Sequence, residues 1–189
     1  MKKLLIVGAG GHGKCCLDIA RDMKFFDEIA FLDDNNIGEC INDAKIIGST
    51  QEMSKFVHEY QSIFVGIGNN IVRKQVFDQA KQLGYEIVNL ISPKSTISSY
   101  ASLKNGIVLF PNAVIEPNAI IGEGCIVCAN TTINHDAVVN DYVLIYSNCV
   151  IRPNTNIGSY SRIGSSCTIS FGTTLQEKSD IKDGLVINS

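Results

Sequence analysis

The stretch NAVIEPNAIIGEGCIVCANTTINHDAVV, residues 112–139, places an aliphatic side chain at every sixth position: Ile115, Ile121, Val127, Ile133 and Val139. The register continues without a slip in both directions, from Ile91 to Ile187. An α-helix (period about 3.6) and a plain strand (period about 2) do not call for a strict period of six. A chain wound into triangular coils does, because each face holds one short strand and each strand turns one aliphatic inward. Three hexads make a coil, residues eighteen apart stack, and the segment holds about five coils. The expected fold of this half is a left-handed parallel β-helix of hexapeptide repeats.

The remaining hexad positions agree. Small residues such as Ala113, Ala119, Cys125, Thr131 and Ala137 stand two places before the aliphatic. Pro93, Pro111, Pro117 and Pro153 stand two places after it, and Gly122, Gly158 and Gly164 follow it directly. Prolines and glycines in phase belong at corners, where the hydrogen-bond ladder is interrupted.

Working outward, the first ninety residues obey other rules. An apolar strand over Lys3–Val7 runs into Gly8-Ala9-Gly10-Gly11-His12-Gly13, and a helix of about ten residues follows. A second strand, Glu28–Leu32, closes on Asp33-Asp34-Asn35-Asn36. A helix over 50–60, a strand over 62–67 ending in Gly68-Asn69-Asn70, a helix over 71–83 and a strand over 85–91 complete the pattern. Alternating strands and helices imply a parallel sheet with crossover helices. The chain thus reads as a small Rossmann-like α/β domain, 1–91, followed by a β-helix domain, 92–189.

Composition is that of a soluble globular protein, with 45% hydrophobic and 19% charged residues. Net charge is −3 with no basic run, which argues against nucleic acid as a partner. Leu4-Leu5-Ile6-Val7 is too short for a membrane span and is not a signal peptide. Three of the seven cysteines (Cys125, Cys149 and Cys167) share one hexad phase and read as small packing residues. Cys125 and Cys128 form a lone CxxC with no second pair, so no metal is expected, and a reducing cytoplasm is the expected location.

Gly8, Gly10 and Gly13 satisfy GxGxxG between a strand and a helix, with Asp33 twenty residues beyond the last. On motif alone this is a dinucleotide site, since backbone amides at a helix start hold a pyrophosphate. A ninety-residue unit, however, is about half of a full dinucleotide fold. That favours one nucleotide with its diphosphate, or a nucleotide-sugar, over NAD; glycines kept only for a tight turn are the plainer alternative. Among the three histidines, His58 lies on a polar segment, and His12 sits within the glycine loop, facing whatever anion binds there. His135 sits at a β-helix corner between Asn134 and Asp136, stacked between Pro117 and Pro153. It is either a solvated surface histidine or a general base whose acidic neighbour raises its basicity.

GAGGHGK near the start, FLDD after the second strand, GIGNN after the third and INHDAVV within the repeats together resemble the bacterial sugar acyltransferases. That family includes the sialic acid O-acetyltransferases and, more similar still, the UDP-4-amino-sugar N-acetyltransferases of bacillosamine synthesis. The resemblance implies a homotrimer with active sites between neighbouring β-helices, acetyl-CoA as co-substrate and a UDP-linked amino sugar as acceptor. It places Gly10, Gly11, His12, Asp33, Asp34, Gly68, Asn69, Asn70 and Arg73 around the UDP-sugar. It makes His135 the base for the sugar's 4-amino group and Asp136 its support, with direct transfer and no acyl-enzyme.

Acetyl-CoA would then lie against Leu144, Pro153, Gly164 and Ser165, and here the sequence departs from its relatives. Leu144 replaces a frequent second histidine, Pro153 replaces a favoured glycine, and Ser165-Ser166 replace a glycine-rich stretch. The Gly-x-Pro-Ala-Lys tail of the relatives is lacking. Proline has no N–H to offer an oxyanion. The alternatives are a nucleotide-sugar-binding homologue with a lost or altered acyl-donor site, or an O-acetyltransferase acting on a sugar hydroxyl.

Overall fold

A computed structural model describes residues 1–188, and the chain divides into two compact units, Met1–Leu90 and Ile91–Ser189.

The first unit is built on strand β1, Lys3–Val7, whose Leu4, Leu5, Ile6 and Val7 are wholly buried. A strand apolar at consecutive positions is covered on both faces, as in parallel sheets flanked by helices. β1 pairs in parallel with β2, Glu28–Leu32, and with β5, Ser62–Val65, so that Ile6 lies beside both Phe31 and Phe64. β3 (Cys40–Ile41), β4 (Ala44–Gly48) and β6 (Glu86–Ile87) complete the order β3-β4-β2-β1-β5-β6. Helix α1, Gly11–Asp22, buries Cys16, Leu17, Ile19 and Ala20; helix α2, Asn70–Gln82, buries Arg73, Phe77 and Ala80.

Three details differ from the sequence reading. The hairpin β3–β4 was not anticipated: its strands are short, and the turn between them needs Asn42 at positive φ, a local cue too weak to stand out. The helix expected over 50–60 is a 3-10 helix only over Thr50–Lys55, opened by a Ser49–Glu52 capping box. The single strand expected over 85–91 is two: β6 closes the sheet against β5, and Leu90–Ile91 forms the first rung of the β-helix. One extended run serves two sheets because each half finds a different partner.

In the second unit, two-residue strands stack in parallel with a stagger of eighteen residues, as in Ile115↔Ile133 and Ile133↔Ile151. They form three sheets, the faces of a left-handed parallel β-helix. The inward aliphatics from Leu109 to Ile169 are fully or almost fully buried and form one continuous core. Core hydroxyls mostly bond to backbone, as when Thr131 Oγ1 donates to Tyr146 O at 2.9 Å and Ser161 Oγ to Gly158 O at 2.7 Å, whereas the buried Thr173 Oγ1 finds no partner. From residue 106 on, corners turn through one residue at positive φ, three places after the aliphatic; Asn112, Asn118, Asn130, Asn148 and Asn154 lie between 57° and 62° there. Asn tolerates this left-handed conformation better than other non-glycine residues. The interior cysteines act as small donors, Cys125 Sγ to Asn140 O and Cys149 Sγ to Gly164 O, each at 3.0 Å.

Candidate active site

Chemistry-bearing residues gather in two places, one in each unit. In the first unit they lie at the carboxyl ends of the parallel strands, where open α/β sheets bind ligands. The chain leaves β1 through Gly8, which has φ +97° and donates its N–H to Leu32 O at 2.8 Å. Gly13 has no room for a side chain, since a Cβ there would lie 1.9 Å from Gly8 O. Gly10 and Gly11 differ: a Cβ at either would meet no atom within 4 Å. Neither strain nor packing within the unit demands their smallness, which leaves their upper surface free for a close-lying ligand.

Asp33, at the end of β2, ties this loop down by accepting from Ala9 N–H at 2.7 Å and Asn35 N–H at 2.9 Å. Burial alone would raise its carboxyl, but these hydrogen bonds outweigh it and hold the group below the usual carboxylate range. Asp34 accepts from both the N–H and the Oγ1 of Thr50, at 2.9 and 2.8 Å. Asn69 Oδ1 caps α2 through the N–H groups of Ile71 and Val72. Arg73 is only 1% exposed. Its guanidinium donates to Ile67 O, Gly68 O and Asn70 Oδ1 at 2.7–3.0 Å, bracing the 67–70 loop from beneath instead of reaching into solvent. His12 is partly buried beside Cys16; burial first, and then the charge of Arg73, push its imidazole down to about 4. At neutral pH it offers any anion in the loop a neutral ring, not a cation.

A cleft of about 430 Å³ opens between the glycine loop and the β3–β4 hairpin, lined by Ala9, Gly10, Asp33, Asn36, Ile41 and Ile46. Ile41 and Ile46 were invisible as site residues to sequence reasoning, because the hairpin that carries them was. A larger hollow of about 530 Å³, where His58 lies, opens at the opposite edge beside Lys3, Ser62 and Glu86, the starts of their strands. Size does not make it the better candidate, since it lies away from the carboxyl ends.

In the second unit, Ile133 ends its strand and His135-Asp136 make the corner, with Asp136 at φ +60°. His135 N–H donates to Glu116 Oε2 at 2.8 Å. Its ring Nδ1 lies 2.7 Å from Asp136 Oδ2, and both side chains are about half exposed, at 52% and 43%. Hydrogen bonds from His135 and then Asn118 hold the Asp136 carboxyl below its ordinary range. An ionised carboxylate only accepts. The neutral imidazole therefore carries its proton on Nδ1 and leaves a lone pair on Nε2, the tautomer of a general base. The sequence placed His135 and Asp136 together; the partners Glu116 and Asn118 come from the coil before, and only the eighteen-residue stacking could have signalled them.

The four positions assigned to the acyl donor offer no free backbone amide. Leu144 is buried and its N–H donates to Ser161 O; Gly164 N–H donates to Ile181 O, and Ser165 N–H to Asp183 Oδ1. Pro153 has none to give. Gly164 is glycine for packing, since a Cβ would fall 2.4 Å from Asp183 Oδ1. Among the described residues, no group of three or more His, Cys, Asp and Glu is placed to hold a metal ion, and no helix is long and apolar enough to cross a membrane.

A glycine-rich loop on a small parallel sheet, followed by a hexapeptide β-helix with a histidine–carboxylate corner, is the architecture of the hexapeptide-repeat sugar acyltransferases. Residues 3–80 match the PglD N-terminal domain and residues 90–189 the GMPPB C-terminal domain. The acetyltransferase domain of PglB from Neisseria gonorrhoeae FA1090 is 33% identical, with 100% of this chain and 92% of that one covered and a TM-score of 0.95. The same domain in complex with acetyl coenzyme A, also 33% identical, covers 100% and 96% with a TM-score of 0.89. PerB from Caulobacter crescentus, in complex with CoA and GDP-perosamine, shares the fold at 19% identity, covering 100% and 89% with a TM-score of 0.92. The chain belongs to the bacterial sugar acyltransferase family, alongside the acetyltransferases of the PglB and PglD type.

Proposed function

We propose that this protein moves an acetyl group from acetyl-CoA to the 4-amino group of a UDP-linked sugar, with His135 as general base. The observation that carries the reading is the His135–Asp136 pair, which exposes a proton-accepting Nε2 on an outer corner. The 33% identical PglB domain, seen with acetyl coenzyme A, supports the donor. Gly10, Gly11 and the cleft beside Asp33 would receive the nucleotide diphosphate, the loop amides serving as donors to its oxygens. Asp34, Asn69, Asn70 and Arg73 would act by shaping the rims of that site.

In the reaction His135 Nε2 takes a proton as the sugar nitrogen attacks the thioester carbonyl. The tetrahedral adduct collapses with cleavage of the C–S bond, and the imidazolium returns the proton to the departing thiolate. Asp136 stabilises the imidazolium in between. No nucleophilic side chain of the protein is acylated. The working form would be a cytoplasmic homotrimer, with acetyl-CoA held between neighbouring β-helices.

One observation favours a second reading, a nucleotide-sugar binder with an altered donor site: Leu144, Pro153, Gly164 and Ser165 present no spare N–H to a thioester oxygen. Thiol release from acetyl-CoA, measured against UDP- and GDP-linked 4-amino sugars and against sugars bearing only hydroxyls, separates these readings. Release that depends on a UDP-4-amino sugar establishes the enzyme. Tight sugar binding by calorimetry without release from any of them establishes the binder instead.

A further inference from the structure

Asp136 occupies the corner position that elsewhere in the β-helix is filled by Asn, Gly, Tyr, Ser or Lys; it is the one acid in that phase of the repeat. Its main chain is set by the coil beneath, through its N–H to Pro117 O at 3.2 Å. Its carboxylate is not set in the same way. The torsion that turns a carboxylate about its Cβ–Cγ bond is broad and soft, and this side chain is 43% exposed. One oxygen meets His135 Nδ1 at 2.7 Å. The other accepts from Asn118 Nδ2 at 3.1 Å, from the equivalent corner one coil earlier. Two anchors fix the plane of a carboxylate where one leaves it free to turn. At a neighbouring corner the same stacking joins amide to amide, Asn112 to Asn130 and Asn130 to Asn148. Here the upper amide is replaced by a charged acceptor, and the hydrogen bond becomes charge-assisted.

We propose that Asn118 is a positioning residue for the transfer, acting from the preceding coil by fixing the Asp136 carboxylate so that its other oxygen holds the His135 proton on Nδ1. This rests on the reading of His135 as base. Glu116 holds the other side of the corner, accepting His135 N–H at 2.8 Å. The base is thus oriented by a framework one coil deep, not by its sequence neighbour alone.

The position suits a clean test. Glycine takes a φ of +62° without strain, and Gly106, Gly124, Gly172 and Gly184 already stand at this phase. Asn118→Gly therefore removes the amide and leaves the coil. Asn118→Asp keeps the size but sets one carboxylate against another, on a backbone that Asp136 shows an aspartate can adopt. Steady-state kinetics of Asn118→Gly should show kcat reduced roughly tenfold, the worth of one charge-assisted hydrogen bond, with KM for both substrates unchanged. The acidic limb of its pH profile should move to lower pH, because a loosened carboxylate stabilises the imidazolium less. In Asn118→Asp that limb should move to higher pH, because a second anion favours the imidazolium. Nitrogen NMR of the His135 ring at about pH 8, above the ordinary imidazole range, reads the arrangement without turnover: the Nδ1–H form should dominate in the parent and give way to a mixture in Asn118→Gly.

A parent-like tautomer, pH limb and kcat in Asn118→Gly would overturn the proposal, as would an Nε2–H ring in the parent protein. Full turnover in His135→Ala would instead remove the base reading, so the two failures are told apart.

Discussion

At the scale of single residues, two histidines show how environment assigns chemistry to one side chain. His135 is half exposed, with the Asp136 carboxylate 2.7 Å from its Nδ1, and in the proposed reaction its Nε2 takes the proton. His135→Ala should lower acetyl transfer by about 100-fold or more, the usual weight of a general base, while the circular dichroism spectrum stays unchanged. Turnover near the parent level would strike out the assignment. His12 sits at the other extreme, its imidazole pushed to about 4 by burial and by Arg73. Between the ordinary value of 6.5 and about 4, the unfolded chain binds a proton that the folded chain refuses. Stability should therefore fall as pH drops through that window, by on the order of 3 kcal/mol at most. Denaturant unfolding at about pH 7 and about pH 4.5, on either side of the ordinary imidazole value, tests this. His12→Gln should flatten the difference, and an equal slope in the variant would show that His12 is not its source.

At the scale of elements, the glycine loop divides into positions held by the fold and positions left open. Gly13 packs its Cα against Gly8, and a methyl group there would lie 1.9 Å from a carbonyl oxygen. Gly13→Ala should destabilise the first unit by more than about 3 kcal/mol, visible as a lost or much earlier thermal transition. Gly10 has a φ of −70°, open to any residue, and no atom lies within 4 Å of the place an added methyl would take. Gly10→Ala should keep the parent melting temperature and weaken UDP-sugar binding by roughly tenfold, as a methyl displaces a diphosphate from backbone amides. Calorimetry with undiminished affinity would move the sugar site away from this loop. The β-helix shows the same division: Gly122, Gly158 and Gly164 are glycine because the next coil lies within 2.6 Å of any Cβ.

At the scale of the whole molecule, the proposed assembly is a homotrimer of the 20.5 kDa chain. Sedimentation equilibrium should return about three times that mass, and a monomer with full turnover would remove the need for a site shared between copies. Each coil of the β-helix contacts its neighbours above and below, so stability should be close to a sum of coil and interface terms. A polar residue in the middle of the core, as in Ile133→Asn, would leave an amide among wholly buried aliphatics and should cost several kcal/mol.

The sequence by itself determined the β-helix and its register. A six-residue period is repeated locally many times, and each repeat can be satisfied only by the same coil. It also determined where the glycine loop and the His135-Asp136 corner lie, because strand, turn and helix signals there are contiguous. Tertiary structure alone decided the rest. The β3–β4 hairpin and its Ile41 and Ile46, the burial of Arg73, the use of the Leu144, Gly164 and Ser165 amides, and the grip of Asn118 on Asp136 all arise from residues distant along the chain meeting in space. Local pattern reports what a segment prefers; whether a donor, a cation or a glycine is left over for a ligand depends on what the neighbouring coil or strand has already taken.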